Sequence, residues 1–83
     1  MARIIKPDGT EIEVNPKNGT DFSLEELQAI VEGYIEPIYF EHGVMVVNEE
    51  GFMKNLKPNW KASEMARQII VGNVLLCANN QIK

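Results

Sequence analysis

The chain has very few of the side chains that cross-link small proteins. Its 83 residues include one cysteine and one histidine. A disulfide within the chain is therefore excluded, and a structural zinc site, which takes several Cys and His ligands, is not expected. Cys77 lies in the apolar run 74–78, which predicts a buried core side chain rather than a reactive thiol. We expect no cofactor.

Length sets a second constraint. A chain of about this size buries only about 60% of the surface of its unfolded state, so its stability is marginal. We predict one domain over residues 1–83. Because disulfides and metals are not expected, self-association is the remaining source of extra stability. The sequence therefore predicts a homo-oligomer.

Long apolar runs and a leader segment are also missing. No run approaches the roughly 20 apolar residues of a membrane-spanning helix. The first residues do not combine a basic segment with an apolar core, so no signal peptide is expected. The formal net charge of −4 disfavours general binding to nucleic acid or to anionic membranes. We predict a cytoplasmic protein that binds neither nucleic acid nor a membrane.

Catalytic motifs are absent as well, since no Ser/His/Asp set, glycine-rich phosphate loop or redox cysteine pair occurs. The neighbouring carboxylates of Glu49 and Glu50 do not show the pair that faces across a substrate in glycosidases. Their segment is typical of a turn, with Asn48 bonded to the backbone and Gly51 at positive φ. His42 fits an exposed turn position. We expect a protein that is not an enzyme, and a hydrolase using Glu49 or Glu50 is the least favoured function.

What the chain does have is a division of charge along its length. Residues 1–50 carry eleven acidic and three basic side chains, whereas residues 51–83 carry one acidic and five basic ones. Most of the late cations fall in the segment 52–67, which also holds Trp60. A local basic and aromatic segment in an acidic protein is suited to an anion that carries a flat ring.

Short apolar segments bounded by turn formers predict strands at 2–6, 11–14, 34–40, 44–47, 52–54 and 74–78. Val44–Val47 is apolar at every position, as expected of a strand covered on both faces. Two segments have helical spacing instead. The predicted fold class is α+β, a small antiparallel sheet with two helices on one face, in the order β-β-α-β-β-β-α-β.

The first predicted helix, about 24–32, has signals at both ends. Ser23 and Glu26 form the pattern of a capping box. Gly33 fits the position where a left-handed residue ends a helix. The second helix follows Pro58, with Asn59 or Ser63 as its cap, and its apolar spacing predicts that it extends to about residue 70.

Four pieces of the sequence resemble a known family of small domains. They are Leu24–Glu36, Val46–Gly51, Pro58-Asn59 and Val71–Leu75, so the resemblance spans about residues 20–78. The family is common in phages and mobile elements of Firmicutes and is labelled a domain of unknown function. The resemblance implies a small accessory protein of a phage or integrated element. Such proteins often inhibit host defence, and one class of inhibitor sequesters cyclic nucleotide or ADP-ribose signals.

Five residues before and within the second helix form the main candidate binding site. Trp60 is predicted to stack on a base, and Arg67, Lys57 and Lys61 to meet phosphate. Asn59 is predicted to bond a ring edge. The alternative is that Trp60 packs on the sheet and that the lysines are simply solvated. One such patch reaches about 4 kcal/mol, or millimolar affinity, so a second subunit would have to close over it.

Tyr34 and Glu36 form a second candidate. On a strand they would share one face and could contact a ligand or a partner. The alternative is a tyrosine whose ring joins the edge of the core.

These patterns lead to one functional expectation and one alternative. We expect a non-enzymatic, phage-type protein that sequesters an anionic, nucleotide-like signal of host defence in the host cytoplasm. The alternative is a protein–protein interaction module whose acidic first half docks on a host protein.

Overall fold

The computed structural model describes residues 2–41 and 43–82, so the predicted turn position of His42 lies outside the described residues. The strands are β1 (Ala2–Ile5), β2 (Glu11–Val14), β3 (Ile35–Phe40), β4 (Gly43–Asn48) and β5 (Val74–Cys77); the helices are α1 (Leu24–Val31) and α2 (Trp60–Ala66), with a 3-10 turn at Asn79–Gln81. The α+β class is confirmed, and the helices and strands that form follow the predicted order.

The strands form one five-stranded sheet in the order β2-β1-β5-β4-β3, and all neighbours are antiparallel. Two hairpins, β1–β2 and β3–β4, are therefore joined through β5. The first hairpin closes on a tight turn in which the Lys6 amide donates to the Thr10 carbonyl at 2.9 Å and Gly9 has φ 91°. Asp8 supports this turn, because its carboxylate accepts from the Thr10 amide at 2.8 Å.

The predicted capping box at the start of α1 is confirmed. The Ser23 hydroxyl accepts from the Glu26 amide at 3.1 Å, and the Glu26 carboxylate accepts from the Ser23 amide at 2.8 Å. Leu27 and Val31 then face the sheet as buried residues.

Two glycines have a different role from the one predicted. Glu32, not Gly33, takes the left-handed conformation that ends α1, with φ 65°. The φ angle of Gly51 is not positive either. Each is needed for close approach instead: a Cβ at Gly33 would lie 2.7 Å from the Asn48 amide nitrogen, and one at Gly51 would lie 2.5 Å from a methyl group of Val71.

The helices lie on opposite faces of the sheet, so the prediction of two helices on one face is wrong. Alternate residues of β4 point to opposite sides. Val44 and Val46 join the core cluster of α1, whereas Met45 and Val47 join the cluster that contains Ala62 of α2. This arrangement explains why β4 is apolar at every position.

Two further boundaries differ from the predictions. The segment 52–54, predicted as a strand, forms turns, with the Lys54 amide donating to the Glu50 carbonyl at 3.0 Å. Helix α2 ends at Ala66 rather than near residue 70. The helix ends where Arg67 takes a left-handed conformation, with φ 57°, and the Ile70 amide then donates to the Ser63 hydroxyl at 2.8 Å.

Candidate functional site

Asn59 is a structural residue rather than a ligand contact. Its side chain is 0% exposed, and its amide nitrogen donates to the carbonyl oxygens of Ile5 and Gly72, each at 2.9 Å. Its side-chain oxygen caps α2 by accepting from the Ala62 amide at 3.2 Å. Both amide protons are therefore used, and the predicted bond from Asn59 to a ligand ring is wrong.

Trp60 is the first residue of α2 and is 65% exposed, so it does not pack on the sheet. It borders an open groove of about 780 Å³, which we call the Trp60 groove. One wall is the β1–β2 turn at 7–9, another is the outer side of α2, and Ile69 lies at the far end. An exposed indole beside an apolar wall is a stacking platform for a flat ring.

Lys61 also borders the Trp60 groove, but its charge is already paired. Its ammonium lies 2.7 Å from the Glu11 carboxylate and donates to the Gly9 carbonyl at 3.1 Å. The other Glu11 oxygen lies 2.8 Å from Nε of Arg3. The hydrogen bond from Lys61 holds the pKa of Glu11 below its usual value, so the carboxylate stays ionised. Lys61 therefore anchors the β1–β2 turn to α2 rather than standing free for phosphate.

Arg67 ends α2 in a left-handed conformation, with φ 57°, and is exposed. Trp60 and Glu64 are spaced at i and i+4 within α2, which places them on one side of the helix, and Arg67 follows directly after the last helical residue, Ala66. All three are exposed. Glu64 was missed by the sequence reasoning, although its helical spacing from Trp60 was sufficient to find it.

The remaining predicted site residues are spread over other parts of the surface. Lys57 is exposed but does not line the Trp60 groove, and its carbonyl accepts from the Gly72 amide at 2.8 Å. Tyr34, 61% exposed, borders a shallow depression beside Lys54. Glu36 lies in β3 beside a different depression. The structure therefore brings Trp60 and Lys61 to one helix, with Arg67 directly after it, whereas Tyr34 and Glu36 border two different depressions.

The comparison with protein families is decisive for classification. A family model described as a domain of unknown function, DUF3846, matches residues 1–82. The chain belongs to the DUF3846 family. No curated protein and no solved structure matches it. The DUF3846 description carries no activity, so any function of the domain has to be argued from its surfaces.

Two kinds of feature are missing from the part of the chain that the structure describes. Within residues 2–41 and 43–82, the DUF3846 domain has no group of three or more His, Cys, Asp or Glu side chains placed to hold a metal ion. In the same part of the chain, neither helix has the length and apolar character needed to cross a membrane. Cys77 is buried, as predicted, and burial raises the pKa of its thiol to about 11.

Proposed function

We propose that this DUF3846 domain is a non-enzymatic binding protein that captures a nucleotide-like anion along the outer side of α2, from Trp60 to Arg67. The observation that carries the proposal is the order of three exposed side chains from the start of α2 to the residue just after it. Trp60, Glu64 and Arg67 follow one another toward the end of the helix, and all are exposed. A nucleotide presents a base, a sugar and a phosphate in the corresponding order along its length.

The spacing suits such a ligand. At about 1.5 Å per residue, Glu64 lies roughly 6 Å along the helix axis from Trp60, and Arg67 follows at the end of the helix. Stacking of a base on an aromatic side chain contributes about 1–3 kcal/mol. A carboxylate accepts hydrogen bonds from ribose hydroxyls, as in dinucleotide-binding folds. A guanidinium gives two parallel bonds to a phosphate.

The Trp60 groove adds an apolar wall but little positive charge. Its charged lining consists of Asp8, Lys61 and Glu64, and Lys61 is paired with Glu11. The phosphate must therefore lie toward Arg67, beyond the groove. A single patch of this kind reaches only about 4 kcal/mol, which corresponds to millimolar affinity. Effective sequestration consequently requires a homo-oligomer in which a second subunit closes over the ligand.

The biological setting in this proposal rests on the sequence resemblance alone. A phage-type accessory protein in the host cytoplasm would use such a site to sequester a signal of host defence, such as a cyclic nucleotide or cyclic ADP-ribose. Neither nucleic acid nor a membrane is part of the proposed activity.

Fluorescence titration tests the proposal directly, because Trp60 is the only tryptophan of the chain. Cyclic mononucleotides, cyclic dinucleotides and cyclic ADP-ribose isomers are titrated separately, with calorimetry in parallel. We expect quenching of Trp60 by at least one of them, and a loss of binding heat in Trp60→Ala and Arg67→Gln. Lys17→Gln, which removes an exposed cation outside the Trp60 groove, is the matched control. A folded sample that gives neither heat nor quenching with any of these ligands rules the proposal out.

The alternative function, docking of an acidic surface on a host protein, is supported by two exposed carboxylates at α1. Glu25 lies in the first turn of the helix, and Glu32 is the left-handed residue that follows its last turn. Glu36 is exposed too but lies in β3. If Glu25→Gln with Glu32→Gln abolishes biological activity while Arg67→Glu leaves it intact, the acidic surface is the functional one.

A further inference from the structure

The sheet is only partly covered on the face where α1 lies. Helix α1 packs mainly on β5, β4 and β3. Beyond it, Ile4, Ile12 and Val14 of the β1–β2 hairpin belong to the same face by their pairing register. Ile12 is 39% exposed, and Ile4 and Val14 are only partly buried. An apolar strip of the sheet therefore remains in contact with solvent.

This strip forms the floor of a groove of about 660 Å³, which we call the α1 groove. Ile4 and Val14 line its floor, and Ala29 and Ile30 of α1 line its side. Strands lie about 4.8 Å apart, so β1 and β2 together are about 10 Å wide, which is the diameter of a helix with its side chains. Ala2, at the start of β1, is already buried in the core cluster of α1, so the open part of this strip lies toward Ile4 and Ile12. Ala29 is exposed and small, so it leaves space for a close neighbour.

The rim of the α1 groove carries two carboxylates, Glu25 and Glu26, and one cation, Lys17, so negative charge is in excess. Glu25 is exposed there, and Glu26 faces the groove with its carboxylate held by the amides of Ser23 and Lys17 at 2.8 and 3.0 Å. The hydrogen bond from the Ser23 amide lowers the pKa of Glu26, so its negative charge persists at neutral pH. An apolar floor with a negative rim is complementary to an apolar strip flanked by cations.

We propose that the α1 groove is a docking site for an amphipathic helix of a partner protein, with apolar side chains toward β1–β2 and Lys or Arg side chains toward Glu25 and Glu26. The partner helix lies beside α1 and completes the helical layer on this face of the sheet. A second copy of the chain fits less well. Its α1 carries the exposed Glu25, with the exposed Glu32 just after the helix, and like charges would then face each other. This site is separate from Trp60, Glu64 and Arg67, so it stands independently of the proposed ligand binding.

The test uses a fluorescein-labelled synthetic peptide of about four helical turns, with leucine on one face and lysine on the other, as the probe. A matched peptide with glutamate in place of lysine serves as its control. Fluorescence anisotropy is measured with the whole chain at low and high salt. We expect binding of the lysine peptide, weaker binding at high salt, and no binding of the glutamate peptide.

Two substitutions of the same kind locate the site. Ala29→Gln fills the α1 groove without touching the core, because Ala29 is exposed and lines the groove. Ala78→Gln adds the same bulk at an exposed position outside the groove. We expect Ala29→Gln to weaken peptide binding by about tenfold or more and Ala78→Gln to leave it unchanged. Circular dichroism confirms that both variants are folded.

Three results would overturn the proposal. One is the absence of binding of the lysine peptide. Another is binding that Ala29→Gln does not weaken. The third is light scattering that shows a dimer of the native chain and a monomer of Ala29→Gln, since the groove would then be an interface between two copies.

Discussion

The side-chain amide of Asn59 donates to the carbonyl oxygen of Ile5 at 2.9 Å, across 54 positions of sequence. The same nitrogen holds Gly72, and the side-chain oxygen caps α2. One buried side chain therefore joins the start of α2, the end of β1 and the segment that leads into β5.

We predict that Asn59→Ala lowers the free energy of unfolding by about 2–4 kcal/mol. Loss of the helix cap contributes about 1 kcal/mol, and the buried carbonyls left without a donor contribute the rest. Urea denaturation followed by circular dichroism measures the change. Asn80→Ala, at an exposed position, is the control and should change stability by less than about 0.5 kcal/mol. Similar unfolding curves for the two variants would contradict the structural role of Asn59.

Glu11 gives a prediction that depends on pH. Its pKa is lowered from an ordinary value of 4.5, first by the hydrogen bond from Lys61. A lowered folded-state pKa stabilises the fold above 4.5, and that contribution is lost as pH falls through the depressed value. Glu11→Gln should therefore lower the urea midpoint slightly at pH 7 and have no effect at strongly acidic pH.

The same contribution should be screened by salt, because Arg3, Glu11 and Lys61 are all at least partly exposed. Glu36→Gln, which removes an exposed strand carboxylate elsewhere, is the control. A difference between native protein and Glu11→Gln that persists unchanged in acid and in high salt would show that the ion pairs are not its cause.

Gly33 is predicted to be intolerant of a side chain because of Asn48. The Cβ of alanine would lie 2.7 Å from Nζ of Lys54, the flexible end of an exposed side chain that can move away, and 2.7 Å from the Asn48 amide nitrogen. That nitrogen is fixed, because it donates to the Val31 carbonyl at 3.0 Å. Gly33→Ala should therefore cost about 1–3 kcal/mol, mainly by displacing that buried bond. A double-mutant cycle in urea checks the mechanism. In an Asn48→Ala background the cost of Gly33→Ala should be much smaller, whereas additive effects would point to another cause.

Cys77 is predicted to report global unfolding. It lies in the α1 core cluster, and burial raises its thiol pKa to about 11. Since the thiolate is the reactive form, labelling by a disulfide reagent at pH 8 should be slow in the native protein and fast in urea. The labelling rate should follow the urea unfolding curve. Rapid labelling of the folded protein would mean that this part of the sheet opens locally.

Sequence patterns were sufficient for the local parts of the fold. The capping box of Ser23 and Glu26 involves neighbouring residues, so it could be recognised directly. The apolar pattern of β4 also indicated cover on both faces, which the structure explains with one helix on each side. The predicted second helix is too long because Ile69 and Ile70 continue its apolar spacing. In the structure, the Ile70 amide instead donates back to the Ser63 hydroxyl.

The candidate site was less predictable, for a physical reason. An asparagine at a helix start is equally consistent with a cap and with a ligand contact. The choice was decided by Ile5 and Gly72, whose positions depend on the whole sheet. Pairing of Lys61 with Glu11 is another long-range contact of this kind. The placement of Trp60 and Glu64 on one side of α2 is set by one helix alone and was within reach of the sequence.

The central position of β5 has a consequence for how the chain is made. Residues 74–77 are translated after every other strand, yet they lie between the two hairpins. During synthesis the hairpins can form early, but each keeps an unpaired inner edge until β5 emerges. Assembly of the sheet is therefore a late event dominated by contacts between distant parts of the sequence, which is the slow kind of folding. A nascent chain stalled before residue 74 would expose two unpaired strand edges that can pair with other chains. A chaperone would matter most at this stage.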